Sequence, residues 1–157
     1  MSFQEAYDMF GYYDCVLFIG ILLQEQFKDF VSTVVCFLMS YSNQIIIPSL
    51  QAYFYTIDPS TPVYDFYLSA IIYEMFFFSV GVLLINSKIG WVLMLVSFIS
   101  AVVNMVGIFL TDSEFYTWYQ KSYGVMNIIL FEILVWACIV NSRLKPHLEK
   151  LNHIFTQ

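Results

Sequence analysis

Two acids sit in the middle of apolar runs. Glu74 lies within Phe66 to Ile85, FYLSAIIYEMFFFSVGVLLI, and Glu132 lies at the centre of a later run, Tyr123 to Val140. A helix of twenty residues rises roughly 30 Å, the thickness of a bilayer's hydrocarbon core. A carboxylate at that depth costs on the order of several kcal/mol unless it is protonated, paired or facing water. Two kinds of chemistry follow. A protonated carboxyl donates a hydrogen bond to a neighbouring helix and so holds helices together, with Asn43, Asn104 or backbone carbonyls as acceptors. A carboxyl that loads and releases a proton serves transport or sensing instead. No Lys, Arg or His inside the runs offers a counter-charge or relay, which favours helix glue or partner recognition.

Asn43 and Asn104 give the acids company. At about 1.5 Å per residue, Asn43, Glu74, Asn104 and Glu132 fall in the middle or outer half of their runs, one per helix, as an intramembrane polar layer. Small residues share faces with them. Ser97, Ser100, Ala101, Asn104 and Gly107 recur on one side of the third helix, and Cys36, Ser40 and Asn43 on one side of the first. Such faces let backbones approach closely and hydrogen-bond. Ala70, Glu74, Phe77 and Gly81 form the corresponding face of the second helix.

The elements that position these residues follow from composition and hydropathy. Of 157 residues, 60% are hydrophobic and 11% charged, where soluble domains carry about 25% charged. The chain therefore reads as a single all-α membrane domain, an antiparallel four-transmembrane-helix bundle with an N-terminal interfacial or re-entrant helix. The expected spans are residues 30–52, 66–86, 89–110 and 122–141. Residues 1–29 form the interfacial or re-entrant helix, because Cys15 to Leu23 is too short to span alone; a short additional span is the alternative. Asn86, Ser87 and Lys88 leave only a tight turn between the second and third spans, which makes them antiparallel neighbours. Residues 142–157 form an amphipathic tail, with Leu144, Leu148, Leu151 and Phe155 at helical spacing.

Val35, Phe37, Asn43 and Ile47 match Val96, Phe98, Asn104 and Ile108 at one offset, and Ile71 to Glu74 (IIYE) matches Ile129 to Glu132 (ILFE) at another. Duplication of a hairpin and chance similarity between two lipid-spanning hairpins both account for this.

Orientation follows from basic residues beside the spans. Lys28, Lys88, Arg143, Lys145 and Lys150 fall on one side and Lys121 on the other, so both termini are expected in the cytoplasm. Asp58, Asp65, Asp112 and Glu114 then make the outer side acidic. Tyr55, Tyr64, Trp118 and Tyr119, with Tyr116 and Tyr123, form an aromatic belt there.

Several functions are excluded or disfavoured. A net charge of −6 with six Lys and Arg argues against nucleic acid. Cys15, Cys36 and Cys138 are widely spaced in apolar runs and read as small core residues rather than a disulfide framework or metal site. His147 and His153 lie on different faces of the tail, so no metal and no cofactor is expected. The acids of the outer side read as a solvated loop rather than a cation site. Glu5 and Asp8 stand where a signal peptide needs basic residues, so no cleaved signal is expected. No nucleophile elbow, zinc-binding helix or phosphate-binding loop is present, and the expectation is not an enzyme. The two hairpins, with a Glu on the fourth helix, superficially resemble the four-helix proteolipids of rotary proton pumps. Ring packing in those proteins needs Gly- and Ala-rich helices, and six Gly against sixteen Phe rejects the match.

The sequence thus points to a non-enzymatic membrane subunit or scaffold, in contact with membrane lipids and with another membrane protein or its own copies. Large aromatics such as Phe76, Phe77 and Phe78, and loops too small to act alone, favour a partner. A small proton- or cation-coupled transporter using Glu74 and Glu132 is the alternative, and lipid or sterol binding between helices near Glu74 and Phe77 is a further one.

Overall fold

A computed structural model describes residues 14–111, 114–142 and 146. Among the described residues every regular element is helical, and there is no strand. The helices are α1 (residues 14–22), α2 (Phe27–Ile57), α3 (Pro62–Leu83), α4 (Lys88–Leu110) and α5 (Tyr116–Val140). The first part of the expected N-terminal helix, residues 1–13, and nearly all of the expected tail lie outside the described residues, as do Asp112, Arg143, Lys145 and Lys150.

Val63–Leu83, Lys88–Leu110 and Tyr116–Val140 are each long and apolar enough to cross a membrane. In α2, Phe27–Asn43 and Ile45–Ile57 pass the same test only together, bent by 44° where they meet. The bend has a cause in the sequence. Pro48 has no N–H to give to the carbonyl four residues back, at position 44, and its ring presses on that carbonyl.

The outer surface of the helices is as apolar as their core, and small polar residues are buried among the core side chains. Phe98, Ile99, Val102, Met105 and Phe109 line the outside of α4, with Phe109 78% exposed, while Ser97, Ser100 and Asn104 face inward, Asn104 at 1%. Ser32, Thr33, Ser40 and Ser69 are buried too, and Leu68, Ile72, Met75 and Phe76 are exposed on α3. In water this arrangement would expose hundreds of Å² of hydrocarbon; in lipid the outer surface costs nothing, and the small polar residues serve close packing.

Caps and glycines set the pairing. Pro at the first position of α3 forgoes only an N–H that no helix carbonyl would accept, and Asp65 in that first turn complements the helix dipole. After α3, Ser87 starts α4 by accepting hydrogen bonds from the amides of Ile89 and Gly90, at 3.1 and 3.4 Å. The connection between α3 and α4 is therefore only residues 84–87, and these two helices share the most extensive interface. Gly81 allows it: a Cβ there would stand 2.7 Å from the Met94 amide nitrogen.

The main core joins Leu17 of α1, Cys36 and Met39 of α2, Tyr73 and Phe77 of α3, Leu93 of α4 and Leu134 of α5. Hence one face of α1, Leu17 and Gly20, packs on the bundle, with Gly20 beside Thr33 and Cys138, while Phe18, Ile19 and Leu22 are exposed. A second cluster of Tyr67, Val103 and Tyr119 lies at the opposite end, where α2 finishes and α5 begins. Below, that end is the aromatic end, and the end carrying Ser87 is the serine end. Cys36 and Cys138 are buried, Cys15 is exposed, and all three are free thiols.

Candidate functional site

Helical spacing brings Glu74 to the α3 face that meets α4, in line with Ala70 and Phe77, all three buried. Its Oε1 accepts a hydrogen bond from Ser100 Oγ at 3.0 Å. Ser97, one turn away, also reaches the carboxyl and meets the Met39 sulfur at 3.9 Å. The second oxygen, Oε2, is buried and has no partner.

Asn104 extends the arrangement by a further turn. Its Nδ2 donates to the Ser100 carbonyl at 2.8 Å, and its Oδ1 accepts from the Tyr123 hydroxyl of α5 at 2.7 Å. Asn127 is a second partner of that hydroxyl. Thus α3, α4 and α5 are joined by one run of polar contacts, Glu74 to Ser100 to Asn104 to Tyr123. Interhelical hydrogen bonds inside a membrane are each worth about 0.6–2 kcal/mol.

Toward the aromatic end the run meets a group of tyrosines. Tyr119 donates to the Val103 carbonyl, and Tyr67 lies 3.4 Å from the Tyr116 hydroxyl. The rings of Tyr67, Tyr119 and Tyr123 pack mutually at centroid distances of 5.8–6.1 Å, with Phe66 edge-on to Tyr123 at 6.3 Å. Gly107 makes room for Tyr67, since a Cβ there would stand 2.7 Å from the ring. These rings fill one another's space, worth about 0.5–1.5 kcal/mol per pair beyond burial, and enclose no cage.

The other residues singled out from the sequence are placed as follows. Ala101, Gly107, Cys36 and Ser40 are buried, and Ser40 Oγ has no partner. Asn43 is half-buried on α2, next to Ser42, whose hydroxyl is 2.9 Å from that of Tyr73. Tyr73 also donates to the Met39 carbonyl, tying α3 to α2. Tyr55 and Trp118 are exposed near the aromatic end, Tyr64 is half-buried, and Tyr119 is buried. Glu132 is exposed, on the outward face of α5, in an open groove of about 450 Å³ lined also by Ile129, Ile133, Val135 and Trp136. The structure therefore brings Glu74 and Asn104 together and puts Glu132 on a separate face.

A second polar knot, at the serine end, escapes a reading by spacing. Ser87 Oγ donates to Asp29 Oδ1 at 2.7 Å while capping α4, Thr33 donates to the Asp29 carbonyl at 2.8 Å, and Gln24 Nε2 donates to the Cys138 carbonyl at 3.0 Å. The only signal for it in the sequence is Ser87 directly before an apolar helix, a cap pattern. Among the described residues no group of three or more His, Cys, Asp or Glu is placed to hold a metal ion. No protein-family model matches the chain, and neither does any curated protein or solved structure, so its chemistry has to be read from its own residues.

Proposed function

We propose that the chain is a multi-pass integral membrane protein with no enzymatic chemistry. It acts as a subunit or scaffold that packs against another membrane protein, or a second copy of itself, through the Glu132 face of α5. One observation carries this reading. Glu132 is exposed near mid-helix between Ile129, Ile133 and Trp136, on the span with the smallest covered share, 33% against 44% for α4. A carboxyl on the outer surface of a span is costly against acyl chains and less so against the surface of another protein.

The architecture that goes with this function is a single membrane domain in which bent α2 is the fourth crossing and α1 belongs to a packed or re-entrant N-terminal helix. Lys28 and Lys88 at the serine end put that end in the cytoplasm, together with both termini. Lipid contacts the rest of the outer surface. A transporter that moved protons past both acids would need Glu74 and Glu132 on one path, and their separate faces favour packing.

Photo-crosslinking tests the reading. A photoreactive amino acid at Trp136, in native membranes, should give a protein adduct whose yield drops when Glu132 is replaced by Leu, with helix content unchanged. Adducts with lipid alone would refute the packing role and support lipid binding in the groove.

A further inference from the structure

We propose that Cys36 of α2 and Cys138 of α5 form an oxidation site beneath α1, at which hydrogen peroxide joins the two helices by a reversible disulfide. The site is independent of the packing role of Glu132.

The two residues come from widely separated parts of the sequence, and no spacing relates them. In the fold the Cys36 thiol meets the Cys138 thiol as a hydrogen-bonding neighbour. Both belong to the main core, at 0% and 1% exposure, and both are free. Two thiols in contact differ from two cysteines that only fill space, because the second sulfur stands ready to attack whatever forms on the first. A metal fits less well. Two ligands are too few for the four-coordinate site that zinc takes, and among the described residues no group of three or more His, Cys, Asp or Glu is placed to hold an ion.

The chemistry closes with one peroxide. One thiol, as its thiolate, attacks a peroxide oxygen; the O–O bond breaks, hydroxide leaves with the thiol's proton as water, and a sulfenic acid remains. The other sulfur then attacks the sulfenic sulfur. The S–S bond forms, the S–O bond breaks, and the departing hydroxyl takes the second thiol's proton as another water. Two thiols are oxidised to one disulfide, and one peroxide is reduced to two waters. Small thiols reverse the bond by exchange and end as a disulfide themselves.

Entry is through α1, which covers the pair. A Cβ at Gly20 would stand 4.0 Å from Cys138 Cβ and 3.6 Å from Cγ2 of Thr33, one turn before Cys36. Leu17 packs into the same core, and Gln24 Nε2 donates to the Cys138 carbonyl at 3.0 Å. The other face of α1, with Phe18, Ile19 and Leu22, is exposed. A helix held from one side opens locally at less cost than a span packed among others, and an uncharged oxidant little larger than water needs only a small opening. The bond would also change the mechanics of the bundle. Among the touching pairs of α2 to α5, α2 and α5 share the smallest contact, and α5 rests mainly on α4. The disulfide ties α5 to α2 where packing is slightest.

The test uses the full chain with Cys15→Ala, reduced and held in lipid nanodiscs. It is treated with hydrogen peroxide, the peroxide is destroyed with catalase, and free thiols are capped with N-ethylmaleimide in denaturing detergent before intact-mass and peptide analysis. The expected product takes up no maleimide, is lighter than the reduced, uncapped chain by two hydrogen atoms, and yields one peptide pair, Cys36 with Cys138, that dithiothreitol separates. Gln24→Ala, with circular dichroism as the check on folding, should form it roughly two- to tenfold faster, the equivalent of one hydrogen bond. Three results would overturn the proposal: both thiols capped by maleimide after a treatment that fully oxidises Cys15 in the parent chain; oxygen added at either cysteine without a link; or a link between two copies of the chain. An unchanged rate in Gln24→Ala would overturn the role of α1 as the cover.

Discussion

Replacing Gly81 by Ala tests the close backbone approach of α3 to α4. A Cβ at that position would lie 2.7 Å from the Met94 nitrogen and 2.8 Å from its Cα and Cβ, and the first two are backbone atoms that cannot rotate away. Ordinary contact begins near 3.4 Å, so α3 and α4 must part locally by about 0.7 Å. A gap of that size forfeits a quarter to a half of the dispersion energy of the pairs it separates, and overpacking of this kind costs roughly 1–3 kcal/mol. The gain of about 0.5–1 kcal/mol from replacing Gly in a helix offsets part of it. The net expectation for Gly81→Ala is a loss of about 1–2 kcal/mol. Gly124 is the control, because nothing lies within 4 Å of its Cβ position and Gly124→Ala should be neutral or slightly stabilising. Unfolding by a denaturing detergent titrated into mixed micelles, read by circular dichroism, gives both values. Equal stability of Gly81→Ala and the parent, or equal damage from the two substitutions, would refute the close α3–α4 packing.

Three further outcomes follow from local geometry. Ser87→Ala removes both the α4 cap and the donor to buried Asp29 Oδ1, and should cost about 2–4 kcal/mol in the same unfolding assay; a loss under about 0.5 would contradict the bond. Pro48→Ala restores an N–H to the ladder, so spin labels near the ends of α2 should move apart as the 44° bend relaxes, and an unchanged distance would locate the cause elsewhere. In the loop after α2, the Ser60 hydroxyl and then its amide N–H donate to Asp58 and hold its carboxyl below the ordinary 3.8. Because the folded value is the lower one, this latch is present above the ordinary value and lost as pH falls through the depressed one; an NMR titration midpoint at or above 3.8 would contradict it.

Length and hydropathy made the helical class and the three long apolar helices legible, because a bilayer demands a run of about twenty apolar residues and little else. They said less about α2, where Ser, Asn and Gln dilute the run and Pro48 bends it, so that the two pieces meet the criterion only jointly. Glu74 was conspicuous as an acid in an apolar run. Its partners were not: Ser100 on α4 is one of several serines at that spacing, and only the register of α3 against α4 selects it. Tyr123 reads from the sequence as a belt residue; that its hydroxyl donates to Asn104 of α4 is a pairing no spacing identifies. Ser87 and Asp29 are 58 residues apart and no periodicity relates them.

The claim that everything else depends on is that lipid covers the helices and the two ends of the bundle meet different aqueous phases. A membrane-impermeant maleimide measures this directly, on single cysteines placed at exposed Ser60, between α2 and α3, and at exposed Asn86, between α3 and α4, in a chain lacking Cys15, Cys36 and Cys138. With intact cells, Ser60→Cys should be labelled and Asn86→Cys only after the membrane is opened. Labelling of both from the same side would mean that α3 does not cross the bilayer.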